Sequence, residues 1–357
     1  EGTPTAINIS GGAGGSHPSG GGGGCGGCML VTYTTSNTIT NDMVTMNGGT
    51  ATNNIGGAGV LYIKQTGANG TLASVNSAFA SASTTQVASS ITLAALTVTK
   101  ANYYVGSGKT LILTPTSTDA LGGGGGQGQI NVHGTLTLNG SDINAAKVIL
   151  ANGSTFNNSA TLNILNSGAL TLLSGATLGT TVGTLTTTGT LALDSGATFT
   201  VDNLSIAGNT TTLNNYSLTT PLNLNGSLSM TGGSMTHATN TTAQTHILFV
   251  SSTSITIGAG ARINVTGMGY RNSGSGPGPG VVQVGSGGGG GAHGGNGGTK
   301  SLGTGGTAYC TVTNIETMGS PGGKVSNATD KSSGGGLIYL KSAATTTVNG
   351  HLQANGQ

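Results

Sequence analysis

The stretch "GTLALDSGATF" (Gly189–Phe199) contains the pattern that decides the fold. Leu191 and Leu193 alternate with smaller residues, and this period of two is typical of a half-buried β-strand. Related stretches begin at Gly134 ("GTLTLNGSDI"), Gly168 ("GALTLLSGATL") and Gly226 ("GSLSMTGGSM"). The four starts lie 34, 21 and 37 residues apart, which indicates a repeat of about 17 to 21 residues if each long interval holds two repeats. Such a repeat predicts one coil of a parallel β-solenoid (β-helix), with Leu and Ile inside, Thr outside, and Gly or Asn-Gly at the corners.

A second repeat relates the two ends of the chain. "CMLVTYTTSNTITNDMVTMNG" (Cys28–Gly48) aligns without a gap with "GLIYLKSAATTTVNGHLQANG" (Gly336–Gly356). A looser copy occupies Ile247–Gly269, and the start of its first strand recurs at Gly57–Lys64. The repeated unit is a Gly run, an apolar strand, a Thr-rich strand and a short strand that ends in a turn. We therefore expect units of the same kind at both ends of the chain.

The composition excludes several classes of protein. Only 5% of the 357 residues are charged, against about 25% in ordinary globular proteins. The 10 basic and 8 acidic residues nearly cancel, so we expect neither nucleic-acid binding nor membrane insertion, and no apolar run is long enough for a transmembrane helix. The 69 Gly show no period of three, which excludes collagen. Abundant Thr, Val and Ile predict an all-β fold, with an antiparallel β-sandwich as the alternative to the solenoid.

Three Gly-rich blocks separate the β regions, at Gly11–Gly27, Gly122–Gly128 and about Gly267–Gly336. They are interpreted as insertions that form either flexible linkers or extended, closely packed strands similar to polyproline II. The predicted segments are residues 1–56 (Gly-rich start and first β repeat), 57–128 (a β region ending in a Gly run), 129–266 (solenoid repeats) and 267–357 (Gly-rich insertion and terminal β repeat).

Motifs for catalysis or cofactor binding are missing from the sequence. The run "GGGGGCGGC" lacks the Gly-Lys-Ser/Thr end of a phosphate-binding loop, and no Gly-x-Ser-x-Gly elbow precedes a helical pattern. Among the acidic residues only Asp194 and Asp202 lie near each other, and both have the sequence context of turns. A catalytic pair would need neighbouring coils to bring Asp142 beside Asp194. Thr-rich stretches such as Thr184–Thr190 suggest an ice-binding ladder, but the irregular repeat spacing favours an ordinary polar face. We predict no enzyme activity, no cofactor and no metal.

Three cysteines are the candidate disulfide residues: Cys25, Cys28 and Cys310. Cys25 and Cys28 form half of a zinc knuckle, but no second pair lies at ligand spacing. The alternatives are a Cys25–Cys28 bridge, a Cys28–Cys310 bridge that ties the two Gly-rich regions together, or three buried thiols. The candidate N-glycosylation sites, each an Asn-x-Ser/Thr sequon, are Asn8, Asn69, Asn139, Asn152, Asn203, Asn209, Asn264 and Asn327.

The succession "GMGY", "GSGPGPG", "GGGGGAHGGNGG", "GSPGG", "GGGLIYLKS" and "TVNGHLQANGQ" resembles the glycine-rich β-solenoid segments of bacterial and phage surface and fibre proteins, including phage tail-tip adhesins. The resemblance covers Ile247–Gln357 and, in shorter form, Gly11–Gly48. It implies an extracellular or cell-surface fibre, stalk or adhesin.

The equivalence of the two ends predicts assembly with copies of itself, because a contact between unlike surfaces that does not close on itself generates a filament. The uncharged stretch Thr3–Ser10 is a candidate strand for pairing with a neighbouring copy. We therefore predict a structural protein that self-assembles head-to-tail into a surface filament. The alternative is a carbohydrate-binding adhesin or phage tail fibre whose partners are surface glycans.

Overall fold

A computed structural model of the chain describes residues 7–14, 24, 26–39, 43–47, 49–50, 59–75, 84–87, 90–99, 102–105, 107, 109–113, 121–122, 129–138, 143–144, 147–158, 161–165, 168–179, 183–271, 274–281, 287–299, 303–311, 316–323 and 332–357. The described residues contain no α-helix, and their regular structure consists of β-strands. The prediction of an all-β fold is therefore confirmed.

The strands are short, and most contain four to six residues. The first nineteen are β1 (Ile7–Asn8), β2 (Cys28–Tyr33), β3 (Val44–Thr45), β4 (Val60–Gln65), β5 (Gly70–Val75), β6 (Thr84–Val87), β7 (Ile91–Thr99), β8 (Asn102–Val105), β9 (Thr110–Leu113), β10 (Leu121–Gly122), β11 (Gln129–Val132), β12 (Thr135–Leu138), β13 (Ile143–Asn144), β14 (Lys147–Leu150), β15 (Thr155–Asn158), β16 (Leu162–Leu165), β17 (Ala169–Leu172), β18 (Thr177–Leu178) and β19 (Thr184–Thr187). The others are β20 (Thr190–Asp194), β21 (Thr198–Phe199), β22 (Asn203–Ile206), β23 (Thr210–Asn214), β24 (Leu222–Asn223), β25 (Ser227–Met230), β26 (Ser234–His237), β27 (Leu248–Ile257), β28 (Arg262–Asn264), β29 (Ile338–Val348) and β30 (His351–Gln353).

The chain divides into two compact units. Unit 1 comprises Glu1–Leu191 and Gly196–Val201, and unit 2 comprises Ala192–Ser195 and Asp202–Gln357. The four segments expected from the sequence are smaller than these units and stay a prediction.

One row of strands in unit 1 stacks in parallel and in register. β12 pairs with β9 on one side and with β15 on the other, and β18 continues the row. The register sets Leu136 between Leu111 and Phe156, and all three side chains are fully buried. Because alternate residues of a strand point to opposite faces, each rung adds one or two apolar side chains to a narrow core. Full burial of one such side chain contributes about 2 kcal/mol, so the core is built from many small, equal steps.

The outward positions of the same strands form a regular column of threonines. Register pairs connect each member to the next, in the order Thr110, Thr135, Thr155, Thr177 and Thr198. The irregular sequence spacing therefore does not prevent a regular ladder, because loops of different length join strands whose register stays fixed. The expectation that irregular repeat spacing prevents a regular threonine ladder is wrong for these five residues.

A second row in unit 1 runs through β6, β8, β11, β14 and β17, also in parallel. This row corrects the expectation that the interval from Gly134 to Gly168 holds two whole repeats. Gly134 precedes β12, whereas Gly168 precedes β17, and these two strands lie in different sheets. Alternating leucines occur on both sides of a repeat, so the pattern alone does not distinguish the sides. The register itself advances by 18 to 27 residues per rung in these two rows, for example by 20 from Thr135 to Thr155.

Strand direction reverses once among the described pairings. β2 and β4 are parallel, β4 and β5 are antiparallel, and β5 and β7 are parallel again. The alternative of an antiparallel β-sandwich does not agree with these mostly parallel pairings. The candidate pairing strand Thr3–Ser10 is partly committed within its own chain, because Ile7 and Asn8 pair with β3. Residues 3–6 of that stretch lie outside the described residues.

Unit 2 contains two parallel rows of the same kind. One row is β22, β25, β27 and β29, and the other is β23, β26, β28 and β30. The pairing of β27 with β29 brings the Ile247–Gly269 and Gly336–Gly356 copies of the sequence repeat onto neighbouring rungs. β29 has one residue more than β27 between Ser252 and Ser254, and a bulge absorbs it.

The Gly-rich segments of unit 2 pack directly on one another through their backbones. Gly290 N donates to Gly298 O (2.7 Å), Gly297 N to Gly306 O (2.9 Å) and Gly306 N to Gly290 O (2.9 Å), which closes a triangle of three chain segments. A Cβ atom added at Gly305 would overlap the carbonyl oxygen of Gly297. Close backbone approach is thus the reason for glycine here, and the packed alternative, rather than the flexible linker, describes these residues.

We expect Gly305→Ala to lower the free energy of unfolding by about 2 kcal/mol, because the added methyl group separates two hydrogen-bonded segments. Gly298→Ala is the matched control, since no atom lies within 4 Å of the position that a Cβ atom would take there. Urea denaturation of both variants measures the difference. Equal stabilities would contradict backbone contact as the reason for glycine at position 305.

Candidate functional site

The two acidic residues that the sequence singled out are bonded to asparagines of a following rung. Asn215 Nδ2 donates to Asp194 Oδ2 (2.6 Å), and Asn225 Nδ2 donates to Asp202 Oδ1 (3.0 Å). Both carboxylates therefore stabilise turns, which agrees with their sequence context. Asp142 lies outside the described residues, so its pairing with Asp194 stays untested.

Asp194 also acts electrostatically on two neighbours in unit 2. Burial raises the pKa of the Tyr216 phenol well above its usual range, and the Asp194 carboxylate raises it further. Burial lowers the pKa of His246, and Asp194 opposes that shift. His246 Nδ1 accepts a hydrogen bond from Asn215 N (2.8 Å), so this ring is engaged with the backbone of the turn. The cluster is a structural polar corner.

The cysteines and sequons lie in different surroundings. Cys28 is exposed on β2, and the half-buried Cys310 donates its thiol to the carbonyl of Thr311. Cys25 lies outside the described residues, and the disulfide pairing stays a prediction. Among the sequons, the exposed asparagines are Asn8, Asn69, Asn152 and Asn209, the half-buried ones are Asn203 and Asn264, and those outside the described residues are Asn139 and Asn327.

Hydrogen bonds occupy the two half-buried sequon side chains. Asn203 Oδ1 accepts from Ser227 N (2.9 Å), and Asn264 Oδ1 accepts from Thr266 N (3.0 Å). Within the described part of the chain, no group of three or more His, Cys, Asp or Glu side chains is placed to hold a metal ion. No helix in that part has the length and hydropathy needed to cross a membrane.

The feature of unit 2 that sets it apart is the last rung of its two rows, formed by β29 and β30, which we call the terminal edge. The pairings described for β29 all go to β27, and those for β30 all go to β28. The opposite edge of each strand therefore presents backbone N–H and C=O groups that no described strand pairs. Such an edge is a template for another β-strand.

The apolar ladder of unit 2 is also uncovered at the terminal edge. Ile257 is fully buried, whereas its partner Val348 on the last rung is 40% exposed. Tyr339 lies at 4.3 Å between ring centroids from Phe249 of the rung below, and its outer face is open. An apolar column that ends in partly exposed side chains gains free energy when a further rung covers it.

Few charges protect the terminal edge. Lys341 is the one permanently charged residue on β29, and β30 contributes His351. Natural edge strands commonly carry several charges or a proline that prevents pairing with another chain. The sequence "IYLKSAATTTV" of β29 has no proline, so the edge is weakly protected.

A groove of about 390 Å³ lies beside the start of β29. Most of its lining residues are small, and they include Gly334–Gly336, Ala354 and Gly356, together with His293. The His293 Nε2 atom is bonded to the carbonyl of Thr317 at 2.8 Å. Walls without large side chains fit an extended backbone better than a bulky ligand.

Two further elements hold the start of β29. Leu337 belongs to a buried cluster with Ile247, Phe249, Tyr270 and Met318. Asn240 anchors the loop beside this cluster: its Nδ2 donates to His246 O (2.7 Å) and Met268 O (2.9 Å), and its Oδ1 accepts from the backbone N of Thr245 and His246 (both 2.8 Å). Asn240 begins an Asn-x-Thr sequon, but no sequence signal marks it as an anchor, because it resembles any other asparagine of a Thr/Asn-rich stretch.

The chain matches no known family model, no curated protein and no solved structure.

We expect Asn240→Ala to lower the free energy of unfolding by about 3 kcal/mol, because it removes the four hydrogen bonds that this fully buried side chain makes to backbone groups. Asn225→Ala is the control, since that exposed side chain makes one bond to Asp202 and its loss costs about 0.5 kcal/mol. Denaturant unfolding of both variants tests the difference. A small effect at Asn240 would contradict its role as the anchor of this loop.

Proposed function

We propose that the chain is an extracellular structural protein, a parallel β-solenoid that assembles head-to-tail with copies of itself into a surface filament. The observation that carries the proposal is the terminal edge of β29 and β30, whose outer backbone groups no described strand pairs and whose apolar side chains Val348 and Tyr339 are partly exposed. The solenoid assignment is supported within each unit by parallel strands that stack in register, at a step of 20 residues from Thr135 to Thr155 in unit 1 and of 24 residues from Thr210 to Ser234 in unit 2.

Unit 1 contains an internal example of how one repeat adds to another. β2 pairs with β4 along their full lengths, from Cys28 with Val60 to Tyr33 with Gln65. The glycines that lead into the two strands are in contact as well. Val60 N donates to Gly27 O (3.0 Å), and a Cβ atom at Gly26 would overlap Gly59 N. Within unit 1, one repeat therefore contacts the next both by pairing of their strands and by packing of the glycines that precede them.

The terminal edge offers the same two surfaces to a second copy. β29 offers an unpaired strand, and Gly334–Gly336, which lead into it, form a wall of the groove. The equivalent sequence at the other end of the chain is Gly26–Cys28, whose two glycines precede β2 and whose cysteine is the first residue of β2. The described pairings of β2 all go to β4, and Leu30 on β2 is 66% exposed. We infer that β2 of one copy meets β29 of the next, with the preceding glycines in the groove.

The alternative function, a carbohydrate-binding adhesin or phage tail fibre, is supported by a different surface of unit 2. A groove of about 600 Å³ is lined by the turn at Asn209, by Ser234, and by Arg262 beside its register partner His351. Its hydroxyl, amide and cationic groups suit a surface glycan. Discrete binding on a glycan array, together with a closed oligomer, would favour this function over the filament.

The filament is tested with a charge placed on the terminal edge. At neutral pH we expect the purified chain to form fibres visible by negative-stain electron microscopy and Val348→Lys to remain dispersed, because the lysine would be buried without a partner at the contact. Val281→Lys is the matched control, since Val281 is also exposed (47%) and lies in a Gly-rich segment that is part of neither β29 nor β30. Sedimentation velocity measures the same difference in solution.

Two outcomes would contradict the proposal. If the wild-type chain stays monomeric at high concentration and shows no fibres, self-assembly is wrong. If Val348→Lys assembles as well as Val281→Lys does, the contact does not use the terminal edge.

A further inference from the structure

A buried histidine lies directly beneath the segment that leads into the terminal edge. His237 ends β26 and is 1% exposed. Its Nδ1 donates to the carbonyl of Ala238 at 2.7 Å, which fixes the tautomer with Nε2 unprotonated. Nε2 is buried and has no hydrogen-bond partner among the described residues. An imidazole nitrogen in this state is a base that water does not reach.

The backbone of Gly336 covers this nitrogen. A Cβ atom at position 336 would overlap Nε2 and would lie 2.8 Å from Val265 Cβ, so glycine alone fits there. Gly336 N donates to Val265 O at 2.9 Å, which holds the segment against the ring. Leu337 and then β29 follow immediately. A proton can therefore reach Nε2 only if the residues that precede β29 move away.

Apart from the Ala238 carbonyl, which accepts from Nδ1, no described group around the ring would stabilise a positive charge on it. The described neighbours are its register partner Leu213 and Gly336, which Val265 holds against the ring, and none of the three titrates. The titratable group whose charge acts on it is His246, itself a base. Burial lowers the pKa of His237, the hydrogen bond to Ala238 opposes this shift, and the charge of His246 lowers the pKa as well. The resulting pKa of His237 is about 4.

We infer that His237 is an acid-sensitive latch, whose protonation at Nε2 requires the Ser332–Leu337 segment to open and thereby frees the start of β29. The latch is a property of the single chain. If the proposed filament forms through the terminal edge, mild acid also dissociates the filament. Only this consequence depends on the proposed function.

The direction of the pH effect follows from the lowered pKa. The closed segment binds the proton less well than the open segment, in which His237 regains its ordinary value near 6.5. The closed state is therefore fully stable above pH 6.5 and loses stability as the pH falls from 6.5 towards 4. Between pH 7 and pH 4.5 the opening equilibrium shifts by about 50-fold towards the open segment.

The latch is tested by hydrogen exchange and mass spectrometry on the Val348→Lys chain, which removes assembly from the measurement. After correction for intrinsic exchange rates, peptides covering residues 332–341 should lose about 50-fold in protection between pH 7 and pH 4.5. In the same background, His237→Asn retains a donor to Ala238 O and should remove this pH dependence. His133→Asn, which replaces an exposed histidine of unit 1, should leave it intact.

The outcomes separate the latch from the filament. Unchanged protection of residues 332–341 at pH 4.5, or an equal loss in His237→Asn, overturns the latch. If His237→Asn does not fold, the imidazole carbon resonances of 13C-histidine-labelled protein replace it, and titration of His237 near pH 6.5 without segment opening overturns the latch. Failure of the wild-type chain to form fibres at pH 7 overturns the filament and leaves the exchange result unaffected.

Discussion

Backbone hydrogen bonding between consecutive rungs in register is the interaction on which the rest of this structure depends. Each rung contributes only one or two buried apolar side chains per strand, as Leu136 does between Leu111 and Phe156. Side chains of this size do not define a compact core by themselves, and the chain has too few charged residues for ion-pair networks to matter. Register aligns the small contributions into continuous columns. A slip of one residue would turn every leucine outward, so register and core stabilise each other.

The Gly-rich segments use the same interaction without side chains. Where Gly290, Gly297 and Gly306 bond in a triangle, each backbone donates to one neighbour and accepts from another, and the absence of Cβ atoms lets the segments touch. Such packing buries little apolar surface. Its stability rests on the hydrogen bonds between the segments, because a buried backbone group without a partner carries a desolvation cost. This explains why the chain devotes 69 residues to glycine and still forms ordered contacts in the described part of these segments.

The sequence predicted the features that repeat and missed the features that occur once. Alternation such as Leu191 and Leu193 predicted all-β structure, and the repeat of Ile247–Gly269 at Gly336–Gly356 predicted two equivalent units, which β27 and β29 form on adjacent rungs. It did not distinguish Gly134 from Gly168, because both sides of a repeat carry the same alternation. Asn240 and His237 were missed for another reason. Their roles come from a loop and a glycine segment brought beside them by folding, and no local spacing records such contacts.

A stack held together by register has no intrinsic last rung, so its end must be dealt with separately. A row of strands can be closed by a helix, by charges or by a different chain, since the final strand otherwise leaves a full edge of backbone groups and an apolar column open. Among the described residues of unit 2, no strand covers β29 or β30. Lys341 on β29 is the one permanently charged side chain of these two strands. The groove beside Gly334–Gly336 continues this open surface into the glycine segments. Within the described residues, the outer side of β29 and β30 thus offers backbone groups and partly exposed apolar side chains of the kind that the next strand covers at the inner rungs, and the proposed assembly assigns this surface to a second copy.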